Sequence, residues 1–216
     1  MRLIAKTAAF VALSATTVAL GIAGPAQAAD FSFRGTFANN NDVQLFNFTV
    51  GSPSDVILKT LSYAGGTQAD GTVVSRGGFD PILSLFNGSG TYIASNDDGG
   101  SLVPADTNGL RYDTYLRRVL DPGSYTVAVS QFSNFSKAAD ARAGNLSQGF
   151  RYDNNFLLTA FDGRTNAWAF DVLNVERATV PNPTPVPTPA LLPGLIGLGL
   201  GVLRKRKAEA AASSEA

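Results

Sequence analysis

The amino-acid sequence predicts an all-β domain, an antiparallel β-sandwich or barrel, between two terminal segments of different character. Apolar and polar residues alternate at period two along most of the chain, and helical periodicity is nearly absent. Turn residues separate the alternating runs at Gly51-Ser-Pro, Asn87-Gly-Ser-Gly, Asp97-Asp-Gly-Gly, Asp121-Pro-Gly and Asp162-Gly. About nine short strands with turns of this kind are typical of an antiparallel sandwich or barrel.

The strands are predicted in order from this alternation. The first two each place large apolar side chains on one face: Phe31, Phe33 and Phe37, then Phe46, Phe48 and Val50. Further strands are predicted at 56–63, 82–87, 92–95, 114–120, 125–132, 156–161 and 167–175. In the last of these Trp168 alternates with Phe170 and Val172, which predicts that its side chain is buried. The long loops 65–78 and 135–155 are expected to be disordered, with one brief helical turn at 136–143.

The first 28 residues have the three parts of a secretory signal peptide. Arg2 and Lys6 supply positive charge, residues 7–24 are apolar or small, and Ala26 and Ala28 stand at positions −3 and −1 of a cleavage site. We therefore expect signal peptidase to remove a signal helix, residues 1–28.

The C-terminal end combines a proline ladder, a short apolar run and a basic cluster. Residues 180–189 carry a proline at every second position, which predicts a stiff polyproline spacer. Residues 190–203 could form a short hydrophobic helix of about 21 Å, less than the ~30 Å hydrocarbon core of a bilayer, which suits a transient membrane span. The cluster Arg204, Lys205, Arg206 and Lys207 predicts a cytoplasmic stop.

This three-part tail resembles the PEP-CTERM sorting signal of proteins exported by Gram-negative bacteria. The resemblance implies processing by an exosortase, a membrane transpeptidase, and delivery to the cell envelope or extracellular matrix. The usual Pro-Glu-Pro of the signal is here Pro187, Thr188 and Pro189. The expected organisation is a signal peptide (1–28), a β domain (29–179), a proline-rich linker (180–189), the PEP-CTERM-like segment with its basic stop (190–207) and a disordered tail (208–216).

Composition excludes several classes of function. The chain contains no histidine and no cysteine, so Ser-His-Asp and Cys-His catalysis and His-ligated zinc are ruled out. Of 17 basic and 17 acidic residues, 11 and 15 lie within 29–179, which gives this domain a net charge of about −4. No basic patch interleaved with aromatic residues occurs, so nucleic acid is not an expected partner.

Residues 79–129 contain three motifs in order. They are Phe79-Asp80-Pro81-Ile82-Leu83, then Asn96-Asp97-Asp98-Gly99, then Asp121-Pro122-Gly123-Ser124-Tyr125. This order resembles the bacterial pre-peptidase C-terminal domain, a β-sandwich of secreted proteins. The resemblance implies a jelly-roll-like accessory module that binds or spaces and does not catalyse.

Acidic and amide side chains cluster around two predicted strand ends, where two interpretations stay open. Calcium takes six to eight oxygen ligands, and loops rich in Asp and Asn can supply them. The same residues also form good turns, because their side chains bond to nearby backbone N–H groups. The candidate calcium ligands are Asp80, Asn96, Asp97, Asp98 and Asp106, with Asp113 close by.

No catalytic residues are predicted. A glycosidase needs two carboxylates at a defined separation, and Glu176 is the one glutamate of residues 29–179. The expected function is therefore that of a non-enzymatic structural or adhesive protein among surface polysaccharide. The alternative is a carbohydrate-binding module, for which an exposed aromatic row would be evidence. Tyr63, Tyr112, Tyr115 and Tyr152 lie near loops and are the candidates for exposed contacts.

Overall fold

The computed structural model describes residues 27–152 and 160–181. It contains two antiparallel sheets, which confirms the all-β prediction. One sheet has four strands in the order β1 (Ala29–Thr36), β10 (Ala167–Val175), β3 (Ser54–Thr60) and β8 (Tyr115–Leu120). The other has five strands in the order β11 (Arg177–Thr179), β2 (Val43–Val50), β9 (Gly123–Gln131), β6 (Pro81–Asn87) and β7 (Tyr92–Asn96).

The inner faces of the two sheets pack against each other with aromatic and aliphatic side chains. Phe46 of β2 lies 4.9 Å from Phe170 of β10 between ring centroids, and its ring meets Trp168 edge to face at 5.6 Å. All three side chains are buried, as the alternation predicted. Because each fully buried large apolar side chain contributes about 1.5–3 kcal/mol, this layer is the main source of stability. The fold is therefore a β-sandwich.

The predicted strands agree with the observed ones except at 156–161. There the structure describes a 3₁₀ helix, Ala160–Gly163, and residues 153–159 lie outside the described part. The structure also adds strands that alternation did not indicate, which are β11 and the two-residue strands β4 (Gly66–Thr67) and β5 (Val73–Val74).

The loop 65–78, predicted to be disordered, is an ordered hairpin made by β4 and β5. It covers the outer face of the four-stranded sheet, where Gln68 Nε2 donates to Asp171 Oδ1 at 2.9 Å and the Ala69 N–H donates to Oδ2 at 3.1 Å. Lys59 Nζ lies 3.5 Å from the same carboxylate. The prediction was wrong because a buried acidic residue more than 90 positions away supplies the acceptors that order this glycine-rich segment.

The second loop predicted to be disordered is described as far as residue 152, and it packs on the outer face of the five-stranded sheet. It contains α1 (Lys137–Ala141), close to the expected helical turn, and a 3₁₀ helix, Leu146–Gln148. Ser136 caps α1 by accepting a hydrogen bond from the Ala139 N–H. A second, smaller core forms beneath, made by Phe86, Ala128, Ala138 and Phe150.

The described residues include no helix long and apolar enough to cross a membrane. The predicted signal helix, apart from its last two residues, and the tail residues Pro187–Pro189 and Arg204–Lys207 lie outside the described part.

Candidate metal centre

Two paired strands bring three carboxylates to one edge of the five-stranded sheet. Asp80 directly precedes β6, and Asp97 and Asp98 directly follow β7. Because β6 and β7 are antiparallel, with Leu83 opposite Asn96, the start of one strand meets the end of the other. One carboxylate oxygen from each of the three residues lies within 4.8 Å of the other two. Sequence predicted all three as calcium ligands.

The electrostatics of the cluster favour a cation. Burial, and to a smaller extent the adjacent charge of Asp98, together raise the pKa of Asp97 to about 6. Burial also raises the pKa of Asp98. The buried Oδ1 atom of Asp97 has no hydrogen-bond partner among the described residues. Carboxylates with little protein donor support become more favourable when a metal ion neutralises them.

The donor set suits a hard divalent cation. All three side chains offer carboxylate oxygen, the ligand type that calcium and magnesium take, whereas zinc and copper prefer imidazole or thiolate. Calcium takes six to eight oxygens and tolerates irregular geometry, while magnesium requires a near-ideal octahedron. Strand-end backbone carbonyls and water can complete such a shell. The residues present therefore fit calcium.

Buried polar residues fix the backbone of the cluster. The hydroxyl of Thr114, which is fully buried, lies between the backbone carbonyls of Pro81 and Asp97 and shares its one O–H donor between them, next to the start of β6 and the end of β7. Gly99 follows Asp98 directly and approaches its neighbours closely, because an added Cβ would lie 2.5 Å from Val103 Cγ1. Sequence reasoning did not select Thr114, because its contacts are long-range.

Asn96 braces the loop through both ends of its amide. Its Nδ2 donates to the Tyr115 carbonyl at 2.7 Å, and its Oδ1 accepts from the Asp97 N–H at 3.0 Å. These bonds are those of a turn residue, which is the second interpretation given for this motif.

Asp106 faces a different set of partners. Its carboxylate accepts from Arg164 at 3.0 Å and from Arg76 at 3.3 Å. The Thr107 backbone N–H, more than either arginine, holds the pKa of Asp106 below its usual value. The three-carboxylate cluster is formed without it.

Asp113 is fully buried and accepts hydrogen bonds from the chain itself. They come from the Thr60 hydroxyl and the backbone N–H groups of Ser62, Tyr63 and Ala64, at 2.6–3.0 Å. Its pKa is raised by burial, and these hydrogen bonds oppose the rise. Asp113 therefore holds the backbone that follows β3.

A cavity of about 270 Å³ adjoins the cluster, and Asp80 belongs to both. Gln131 also lines it and was not selected from the sequence. Tyr63, predicted to make exposed contacts, is 5 % exposed in the cavity wall. That prediction was wrong because Arg164 covers the Tyr63 ring, 3.5 Å from its centroid. Tyr112, Tyr115 and Tyr152 are half-buried, so the tyrosines predicted to make exposed contacts form no exposed row.

Comparison with known proteins finds a structural likeness to a solved domain. No protein-family model matches the chain, and no curated protein matches it. The pre-peptidase C-terminal domain of a collagenase from Bacillus anthracis is similar with a TM-score of 0.35 and 10 % sequence identity, over 70 % of this chain and 90 % of that domain. The assignment to a β-sandwich rests on the strand order and the packing of the two sheets, and membership of the pre-peptidase family stays a prediction.

Proposed function

We propose that this chain is an exported, non-catalytic β-sandwich that binds one calcium ion through Asp80, Asp97 and Asp98. Its role is that of a structural or adhesive component of the cell envelope or extracellular matrix. The observation that carries the proposal is the meeting of three carboxylates, with oxygens within 4.8 Å of one another, at paired strand ends. A bound cation would offset the repulsion between like charges held so close together.

Calcium would stabilise the edge of the five-stranded sheet. β7 is an edge strand that pairs with β6 alone in that sheet, and the cluster lies at the junction of the two. An ion bound only in the folded state adds about 2.7 kcal/mol of stability at a concentration one hundred times its Kd. This matters for an exported domain without cysteine, which has no disulfide to perform the same task.

A catalytic role for the same carboxylates is less well supported. An acid–base pair must face a space that admits substrate. The cavity beside the cluster is lined by Asp80 and not by Asp97 or Asp98. A substrate in this cavity would therefore not meet Asp97, the carboxylate whose pKa is raised to about 6.

Export and sorting are supported by the two ends of the sequence. We infer that signal peptidase cleaves after Ala28 and that an exosortase-type enzyme acts near Pro187–Pro189. Mass spectrometry of the mature protein from its native host tests both sites. A mature chain that begins at Ala29 and lacks Arg204–Lys207 supports the inference, and a soluble cytosolic chain that retains both ends contradicts it.

Thermal unfolding tests the calcium site. We expect EDTA to lower the Tm of the full chain and added calcium to restore it, whereas magnesium restores it less. Asp97→Asn should abolish the calcium response. Asp121→Asn is the matched control, because Asp121 is exposed in a turn outside the cluster and its variant should respond as the original chain does. An unchanged Tm in EDTA would contradict the proposal.

A further inference from the structure

The cavity next to the carboxylate cluster combines polar atoms with aromatic walls. Its volume of about 270 Å³ lies just below the range of about 300–1,000 Å³ that is usual for sites of drug-sized ligands, so it suits a ligand of one ring. The side chains that matter for recognition are those of Asp80, Gln131, Arg164, Tyr63, Tyr112 and Phe161.

Gln131 supplies an unused acceptor. Its side chain is 2 % exposed at the end of β9, opposite Pro81 of β6, and its Oε1 atom has no hydrogen-bond partner in the described part of the chain. Burying an amide oxygen without a donor is unfavourable, and native proteins avoid it unless a ligand or water satisfies the group. The position of Gln131 in the lining of the cavity indicates that a ligand there supplies the donor.

Tyr63, Tyr112 and Arg164 form a part of the lining that contacts within the protein hold in place. The edge of one ring faces the other in the pair Tyr63–Tyr112, with centroids 5.0 Å apart, and the Arg164 guanidinium lies over the Tyr63 ring. Arg164 also donates to the Gly78 carbonyl at 2.6 Å and to Asp106 at 3.0 Å. These contacts fix the wall before any ligand arrives, which lowers the entropic cost of binding.

The charges in the cavity select an uncharged ligand. Asp80 and Arg164 contribute one charge of each sign, so the lining has no net charge that would attract a charged ligand. Hydroxyl groups both donate and accept hydrogen bonds, so a polyol can donate to Gln131 Oε1, and it can also bond to Asp80 and to the exposed side chain of Asn108 at the rim. The C–H face of a sugar ring is apolar and packs on aromatic side chains such as Tyr112 and Phe161.

We propose that this cavity binds one pyranose unit of a neutral polysaccharide, with Gln131 Oε1 accepting from a sugar hydroxyl. This goes beyond the calcium-stabilised structural role and gives the carbohydrate-binding alternative a defined site. It does not require calcium, although Asp80 belongs to both sites. The volume of the cavity admits one ring, so recognition is of a single residue or chain end.

The test is binding of the methyl glycopyranosides of glucose, mannose, galactose and N-acetylglucosamine to the full chain, by saturation-transfer NMR and calorimetry. We expect at least one to bind, and Gln131→Met to weaken it by about tenfold, as the loss of one hydrogen bond in a desolvated site predicts. Gln44→Met is the matched control, because Gln44 lies on β2 outside the cavity. Tyr112→Ala should also weaken binding, and it provides the test if Gln131→Met fails to fold.

The results separate this proposal from the calcium site. Titrations in calcium and in EDTA are compared with the Tm of the same samples. Sugar binding that depends on Gln131 or Tyr112 in either buffer supports the cavity, whatever calcium does to the Tm. Absence of binding by all four glycosides in both buffers overturns it, and so does equal binding by the original chain, Gln131→Met and Tyr112→Ala.

Discussion

Asp113 and Asp97 are close neighbours in the fold and differ in what surrounds their carboxylates. Asp113 is fully buried and receives four hydrogen bonds from the chain. Asp97 is half-buried, has a buried oxygen with no described partner and lies beside Asp98. Thr114, next to Asp113 in sequence, bonds the Asp97 carbonyl, so one short segment supports both. Burial alone therefore does not distinguish a structural acid from a candidate metal ligand; the number of hydrogen-bond donors around the carboxylate does.

This contrast predicts that removing Asp113 has the largest effect on stability. Asp113→Ala leaves the N–H groups of Ser62, Tyr63 and Ala64 and the Thr60 hydroxyl without their acceptor. We expect the free energy of unfolding to fall by about 4 kcal/mol, because each buried unsatisfied donor costs about 1–3 kcal/mol and local relaxation recovers part of the sum. Urea denaturation measures the change. A loss below about 1 kcal/mol would show that water replaces the carboxylate easily.

Asp171 extends the comparison to a second carboxylate with donors from the chain. It is fully buried, accepts from Ser32 Oγ at 2.7 Å and from Gln68 Nε2 at 2.9 Å, and lies 3.5 Å from Lys59 Nζ. We expect Asp171→Ala to lower the free energy of unfolding by about 3 kcal/mol. This is less than the effect of Asp113→Ala, because the hairpin that covers Asp171 is short and can open to water. Hydrogen exchange should show new opening confined to residues 66–74. Global destabilisation with an unchanged hairpin would contradict this explanation.

The positions of most strands were predictable from the sequence, whereas the order of the strands in the two sheets and the environments of the acids were not. Alternation fixes which face of a strand is buried, so the inner faces of β2 and β10 and the strand ends beside Asp80 and Asp97 were found by local reasoning. The two arginine partners of Asp106 and the donors around Asp113 come from segments far away in the chain. An aspartate before a strand looks the same whether it binds backbone N–H groups or a metal ion, because the donors are brought to it only by the fold.

The Asp97 pKa predicts opposite responses to pH without and with calcium. In the unfolded chain Asp97 should titrate near the ordinary aspartate pKa of 3.8, whereas in the folded chain its pKa is raised to about 6. The folded state then binds the proton more tightly between these values. The contribution of Asp97 to stability is therefore fully present below pH 4 and is lost as pH rises through about 6.

In EDTA we expect the deprotonation of Asp97 to lower the free energy of unfolding by about 1–2 kcal/mol as pH rises from 4 to 7. The change is no larger because water screens a half-exposed carboxylate. Asp97→Asn should remove this pH dependence relative to the original chain. With saturating calcium the trend reverses, because the ion competes with protons and binds more tightly as Asp97 ionises. Urea unfolding across this pH range, with Asp121→Asn as the control, measures both trends. The same slope in EDTA for the original chain and for Asp97→Asn would contradict the assignment.

The exposed pair Asp55–Arg117 should show the smallest effect and completes the series. The Arg117 guanidinium donates to both oxygens of Asp55 across β3 and β8, and its hydrogen bond lowers the pKa of Asp55. Both side chains are in water, so the gain from pairing is offset by screening and by the ordering of two flexible groups. We expect Asp55→Asn to leave the Tm unchanged in low and in high salt. A clear decrease in Tm that high salt suppresses would show that the ion pair at the β8 edge stabilises the fold. The supply of hydrogen-bond donors from the chain would then not be the only feature that makes an aspartate structural here.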